Sequence, residues 1–428
     1  MKKFLSLVLF LTLTTTAAFA QVFILDSELR PKFEYRNGYR SPIDENTAPG
    51  ASISQRSRVN LTYNSSILKT YISLQNIKTW GDTRMSNSSD VNGTMIHQAW
   101  GEISLSPAIS LKIGRQPLRY NDQRLFGYNN SSQQARTHDA FLFKYTPSSD
   151  FTLHIGATYN QDRVTDTGNF YALNDYKTFQ FLWANYKIGS FDVSLIFNND
   201  GRAYAKTPEA RQKTVFNQTF GPFIEFNKDK LRVVGAAYFQ TGKNANNIDK
   251  SAWFAHLETH YNFTPAFKVG LGCQILSGKS MTDTCSKDLS FDKLYGAGHA
   301  FNGTMDYFYA GSSHGQGGLI DLFMPMSYKY KKLTLSLNSH YFWSHKDVID
   351  VTVNEPDVVM PSNLGFEADF ALAYKFSENI TFEAGYSQIF ATKTLRHLKG
   401  KFDLDASVAQ NWIWGMITIK PQLFKFEK

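Results

Sequence analysis

The chain has 428 residues, with 45 basic and 37 acidic side chains, a formal charge of +8 and a mean hydropathy of −0.33. Beyond the N-terminal twenty residues no stretch approaches eighteen uninterrupted apolar positions, which excludes a helical membrane protein. Aromatic residues make up 15%, including 35 Phe and 22 Tyr, a content suited to lipid-facing girdles, and two cysteines, Cys273 and Cys285, are too few for a disulfide scaffold.

The first element is an export signal. Lys2 and Lys3 precede the apolar run Phe4–Leu13, and Ala18-Phe19-Ala20 supplies the small-x-small cleavage pattern. Residues 1–20 therefore read as a signal peptide, and residues 21–428 as one mature domain beginning at Gln21. Its removal takes away two lysines and no acids, leaving +6. No lipobox cysteine follows, so a lipoprotein is not expected.

The mature chain alternates with period two almost throughout. In the first strand Leu25, Ser27, Leu29, Phe33 and Tyr35 share one face, and Asp26, Glu28, Arg30, Lys32, Glu34 and Arg36 share the other. Arg56 and Arg58 of the second strand fall on the polar face, with Val59, Leu61 and Tyr63 on the lipid side. The pattern predicts about eighteen strands, near 23–36, 54–64, 68–80, 96–106, 109–116, 138–146, 150–160, 177–189 and 190–199 in the first half. The second half continues near 215–227, 230–241, 251–263, 266–278, 317–331, 332–344, 363–377, 379–391 and 410–420. Many runs reach the roughly nine to eleven tilted residues that cross a bilayer. Connections alternate between short turns, such as 106–108, 188–190 and 227–230, and long loops, such as 81–93, 117–137, 161–176, 279–316, 345–362 and 391–409. Short periplasmic turns and long extracellular loops have that signature. The predicted fold class is all-β, a transmembrane antiparallel up-and-down β-barrel.

A barrel of this size is too wide for wall side chains to fill, so an aqueous channel is its default interior, constricted by inward-folding loops. The mature chain enters its first strand almost at once, which leaves no room for the plug of a TonB-dependent transporter. Arg30, Lys32, Arg36, Arg56 and Arg58 register inward beside Asp26, Glu28 and Glu34. Two readings follow: a salt-bridged ladder that stiffens the wall, or a guanidinium-rich path for carboxylated solutes.

The segments His97-Gln98-Ala99-Trp100-Gly101, Leu111-Lys112-Ile113-Gly114-Arg115-Gln116, Tyr120-Asn121-Asp122-Gln123-Arg124-Leu125 and Arg136-Thr137-His138-Asp139 carry a family likeness. With Leu74–Gly81 upstream and Leu294–Asp306 in the longest loop, the chain resembles the alginate-export family of outer-membrane barrels. The resemblance implies an eighteen-stranded, monomeric, selective porin passing an anionic polysaccharide or its oligomers through an arginine-lined constriction. It makes Arg115, Arg124, Arg136 and Asp139 the pore candidates, and it leaves His299 and Asp306 without an assigned role. Alternation from Leu111 and Ile113 sends Arg115 outward, unless a bulge at Gly114 turns it in or it stands at the rim. Glu367 and Asp369, inward on the sixteenth strand, dilute a purely basic funnel.

The reading is thus a channel for an anionic saccharide or related solute, with a general anion-preferring porin as runner-up. An outer-membrane hydrolase or a structural barrel or adhesin follows at a distance. Ten scattered histidines suggest no catalytic set. His256 and His260 share a strand face about 13 Å apart, too far to chelate one metal. Gly311-Ser312-Ser313-His314-Gly315 lacks the context of a nucleophile elbow. No enzyme activity, cofactor or metal is expected. The expected surroundings are membrane lipid and lipopolysaccharide outside, an anionic saccharide or small anion inside, and no nucleic acid. Cys273 and Cys285 stay open as a bridge or as two thiols.

Overall fold

Alternation along the chain becomes two faces of one closed sheet. The computed structural model describes residues 21–82, 93–168, 170–207, 210–308, 317–355, 357–402, 404 and 409–428, so the expected signal peptide lies outside the described residues, as does most of the 81–93 loop. The strands are β1 (Val22–Asn37), β2 (Gly50–Asn64), β3 (Leu68–Thr79), β4 (Met95–Ser106), β5 (Ile109–Gln116) and β6 (His138–Tyr145). They continue as β7 (Phe151–Tyr159), β8 (Tyr176–Ile188), β9 (Phe191–Tyr204), β10 (Lys213–Lys228), β11 (Leu231–Lys243) and β12 (Asp249–Asn262). The last are β13 (Phe267–Leu276), β14 (Leu319–Tyr330), β15 (Leu333–Trp343), β16 (Asn363–Lys375), β17 (Ile380–Ala391), β18 (Gln410–Ile419) and β19 (Gln422–Glu427).

From β1 to β18 each strand pairs antiparallel with its sequence neighbours, and β1 pairs with β2 on one side and with β18 and β19 on the other. β18 and β19 form a single stave interrupted at Lys420–Pro421, because proline has no N–H for the ladder. The barrel therefore has eighteen staves, in agreement with the alternation. Closure through β1 leaves the sheet without the two free end strands of an open sheet.

At one end the connections are tight. Gly189, Asp229 and Lys331 take positive φ in two-residue turns, matching the strand twist. At the other end run the long loops, among them 117–137, 277–318, 344–362 and 392–409. The last carries a short helix absent from the periodicity reading, α1 (Lys393–Leu398), capped by Thr392, whose side chain accepts from the Leu395 N–H.

Leu29, Phe33, Val59, Ile72, Leu74, Ile113, Phe141 and Ile155 project outward and are exposed, whereas Glu28, Arg30, Glu34, Arg56, Arg58 and Asn60 are buried. This inverts the usual arrangement of a soluble protein and fits a lipid-facing exterior. Cys273 and Cys285 are both free thiols.

On one flank the interior holds an apolar cluster among its polar side chains. Phe179 and Phe181 of β8, Ile196 of β9, Val234 and Tyr238 of β11, Phe254 of β12 and Phe342 of β15 point inward into an apolar cluster. Leu118, Tyr120, Leu125 and Phe126 of the 117–137 loop fill it, with Phe291, Tyr295, Met305, Tyr307 and Phe308 of the 277–318 loop. The two loops join through a parallel bridge between Phe126 and Tyr295. Gly127 N–H donates to the Tyr295 carbonyl at 2.9 Å, and Ala297 N–H to that of Gln123 at 2.9 Å. A small soluble-type core thus occupies the β8–β16 flank and leaves the arc from β17 through β18 and β1 to β4 open.

Candidate functional site

The arginines of β1 and β2 hold a loop in place. Arg30 donates to the carbonyls of Asn130 and Ser132, both at 2.7 Å, and to Gln133 Oε1 at 3.1 Å. Arg56 pairs with Glu28, and its Nη1 reaches the carbonyls of Ser132 at 3.3 Å and Gln133 at 3.2 Å. Gln133 in turn donates to the Arg30 carbonyl at 3.2 Å and to Ser54 Oγ at 3.1 Å. Arg58 donates to Gln75 Oε1 at 2.7 Å and to the Tyr128 hydroxyl at 3.0 Å, which also meets His97 Nε2 at 3.0 Å. Arg56 is 0% exposed. A guanidinium spent on backbone carbonyls positions the chain and is not offered to a passing solute.

The motif arginines divide in the same way. Arg124 pairs with Asp122 at 2.5 Å, bonds Gln274 and lies 4.1 Å over the Phe301 ring. Arg136 donates to the carbonyls of Tyr295 and, at 2.9 Å, Gly296, tying one loop to the other. Arg115 and Asp139 do not reach the lumen. Gly114 has φ +116 and approaches the Ala99 carbonyl too closely for any side chain, yet the ladder register runs on unbroken through it. Alternation therefore holds: Gln116, His138 and Ala140 are buried inward, and Arg115 and Asp139 form an exposed outward pair at 2.9 Å near the long-loop end. As pore-lining candidates these two are corrected. Arg36 alone among the candidates keeps a substantially exposed head in the lumen, beside Glu34 at 2.9 Å.

The acids that would dilute a basic path are also engaged. Glu367 accepts from the Met305 N–H at 2.7 Å, and Asp369 from the Thr304 N–H at 3.1 Å and hydroxyl at 2.5 Å. Asp321 accepts from Asn302 at 3.1 Å and faces His340 Nδ1 at 3.0 Å. Gly303 makes this fit possible, since a side chain there would collide with the Glu367 carboxylate. Three carboxylates thus clasp the 302–305 turn. Asp306 next to them bonds the Tyr39 hydroxyl and meets His299 Nδ1 at 2.8 Å, which places the two loop-motif residues in one network at the lumen surface. In the same loop Lys293 donates to Asn302 Oδ1 at 2.8 Å and to the Phe308 carbonyl at 2.5 Å. Burial pushes its ammonium down to about 7, against the opposing pull of Asp321.

Three adjoining cavities follow the open arc. At the long-loop end a chamber of about 350 Å³ lies among Arg36, Tyr39, Arg40, Lys78 and Asp306. It shares Lys32, Ser131 and His299 with a second chamber of about 420 Å³ that runs along β17 and β18 to Glu378 and Asn379 of a short turn. That chamber shares Asn130 and Lys420 with one of about 470 Å³ towards the short-turn end, lined by Asp26, Asn60, Lys69, Trp100 and Arg119. Asn130 and Ser131, in the segment held by Arg30, line adjoining chambers. The basic lining side chains (Arg30, Lys32, Arg36, Arg40, Arg58, Lys69, Lys78, Arg119 and Lys420) outnumber the acidic ones (Asp26, Glu28, Glu34, Asp306, Glu378 and Glu383). Several of these charges pair across the lining: Glu28 with Arg56 and Lys420, Glu34 with Lys32 and Arg36, and Asp306 with Arg40, Tyr39 and His299.

Arg40, Lys69, Arg119 and Lys420 were not singled out by strand alternation in β1 and β2. Lys420 ends the inward series Trp412, Trp414, Met416, Thr418 and was legible by period two; Arg40 and Arg119 stand on loops that no periodicity orients. The inward histidines of β4, β6 and β15 meet a tyrosine or carboxylate, and His256 and His260 flank Glu258 on β12. No group of three or more metal-capable side chains gathers among the described residues. The 311–315 segment lies outside them.

A family model described as alginate export matches residues 27–406. No curated protein matches the sequence. Among solved structures, OccAB4 of Acinetobacter baumannii superposes with a TM-score of 0.62 at 11% identity, covering 95% of this chain and 98% of that one. OccD3 (OpdP) of Pseudomonas aeruginosa gives 0.58 at 13% identity, over 94% and 92%. OpdK of the same organism, solved with vanillate, gives 0.59 at 10% identity, over 95% and 99%. At these identities the likeness is one of fold.

Proposed function

The chain belongs to the alginate-export family, and from that premise we propose that it carries an anionic saccharide, or a related carboxylated solute, along the open arc of its barrel. It is an outer-membrane β-barrel channel; the solute is the added step. One observation supports it above the others: nine basic side chains line the three chambers against six acidic ones, while the lumen carboxylates of β16 are taken up by loop backbone. Such a path lowers the electrostatic cost of moving an anion through a narrow, low-dielectric passage. Arg36 and Arg40 would gather the solute at the long-loop end, Lys32 and Lys420 would carry it past Asn130–Ser131, and Lys69 and Arg119 would pass it to the other end. Lysines suit transit, since a compact hydrated ammonium lets go more readily than a bidentate guanidinium.

In this reading residues 1–20 act as a cleaved export signal, and the closed barrel works as a monomer in lipid and lipopolysaccharide. Liposome swelling tests it. Uronate oligomers should enter faster than neutral glucans of equal length, and equal rates would remove the anionic solute from the account. A second reading, a porin for small carboxylates, draws on the OpdK structure with vanillate and on chamber volumes of a few hundred Å³. Rapid entry of monomeric carboxylates with exclusion of oligomers would favour it.

A further inference from the structure

β18 turns Trp412, Trp414, Met416 and Thr418 into the 420 Å³ chamber, and Lys420 just beyond it continues the series. The two tryptophans differ in what they offer. Trp412 is 2% exposed, its indole N–H donating to Glu34 at 3.2 Å and its ring meeting Tyr39 and His299, so it is a buttress. Trp414 is only partly buried and stands opposite Gly385 in the ladder. A Cβ on that glycine would come within 2.4–2.8 Å of three indole atoms, so the ring occupies the space a side chain at 385 would fill. It lies against the barrel wall with its remaining surface towards a cavity of about 420 Å³. Lys32 Nζ, which pairs with Glu34 at 3.2 Å, is 5.6 Å from its centroid, and Lys420, half exposed and 3.3 Å from Glu28, reaches into the same cavity.

An indole face is apolar and carries a negative quadrupole, which attracts polarised C–H groups and nearby cations. The less polar face of a pyranose ring presents such C–H groups, and a carboxylate on that ring would meet the two ammoniums. The volume falls within the roughly 300–1,000 Å³ of small-molecule sites. We propose that Trp414, Lys32 and Lys420 form a docking step for one uronate residue of a passing chain, its ring on the indole and its carboxylate between the lysines. This step rests on the anionic-saccharide reading above and supplies it with a binding position. Gly385 is the positioning residue that lets the indole lie against the wall.

The test is current block by hexamannuronate in planar bilayers, with maltohexaose as the neutral control. The wild-type barrel should show resolved blocks by hexamannuronate. Trp414→Ala should shorten their mean dwell about tenfold while leaving the reversal potential in a salt gradient unchanged. Trp414→Phe should recover part of the dwell. Gly385→Ala, which pushes the indole off the wall without touching solute, should shorten it as well. Lys420→Gln should shorten the dwell and also shift the reversal potential. A dwell unchanged in Trp414→Ala and Gly385→Ala would overturn the docking step while leaving the channel intact, and so would a conducting wild type without block. Should the wild type not conduct, the channel reading falls. Titration of hexamannuronate into the detergent-solubilised barrel, read by calorimetry, then decides the step: binding lost in Trp414→Ala supports it, and no binding or equal binding overturns it.

Discussion

Arg56→Met separates a pore-lining arginine from a loop anchor. The change keeps most of the apolar stem and removes the guanidinium, and with it the pair to Glu28 and the bonds to the Ser132 and Gln133 carbonyls. Losing one partner of a buried ion pair costs about 3–5 kcal/mol. Glu28 keeps Lys420 at 3.3 Å and Arg30 at 4.0 Å, which places the cost near the lower end. About 3 kcal/mol is a factor on the order of 10² in the ratio of docked to released loop. The loop stays pinned by Arg30 and by the Phe126 cluster, so release is confined to the segment around Ser132 and Gln133. Single-channel recordings should show larger, noisier open currents, and a protease should cut within 129–134 sooner than in the wild type. Anion preference should persist, because the exposed cations remain. Unchanged current noise and proteolysis, with a reversal potential moved towards zero, would refute the anchoring role and return Arg56 to the solute path.

Arg115→Ala and Asp139→Asn should leave conductance and reversal potential unaltered, since both side chains face outward; a loss of anion preference measured in bilayers would contradict that placement. Phe126→Ala empties the centre of the apolar cluster, at a cost of about 3–5 kcal/mol. Its melting transition should drop and its current fluctuate, whereas a wild-type melt would show that the loops are not docked through this core. Lys293 gives a pH dependence. Its docked ammonium titrates near 7 and its released form near the ordinary lysine value of about 10.4, so the released loop binds the proton more tightly. Docking therefore strengthens as pH rises from about 7 to about 10 and is flat below that window. The melting temperature of the wild type should gain on that of Lys293→Met across the window, and a constant difference would refute the assignment.

Period-two alternation was enough to read the staves, because lipid on one side and a lumen on the other impose it on every strand. Predicted ends fall within a few residues of the observed ones except where strands run on into the loops. β9, for example, continues to Tyr204, where Asp200 receives the Tyr295 hydroxyl and pairs with Arg202. The apolar flank was harder to see. When Phe179 and Phe181 point inward and Leu182 outward, both faces of the strand are apolar and alternation loses its contrast. The site was legible only as a face. Sequence places Arg30, Arg56, Glu367 and Asp369 inside the barrel, but their partners are backbone groups of loops some 60–100 residues away. No local pattern encodes such contacts, so anchors and solute-facing charges look alike until the loops are in place. The family motif had the same limit: it drew attention to Arg115 and Asp139, which the unbroken register through Gly114 directs to the outside.

The central claim, that the open arc is a net basic path, is tested most directly by the zero-current potential of the wild-type barrel under a tenfold KCl gradient. The account predicts a potential of the sign set by chloride, reduced by the double substitution Arg36→Gln and Lys420→Gln. A potential of the opposite sign, or one indifferent to that pair, would contradict it.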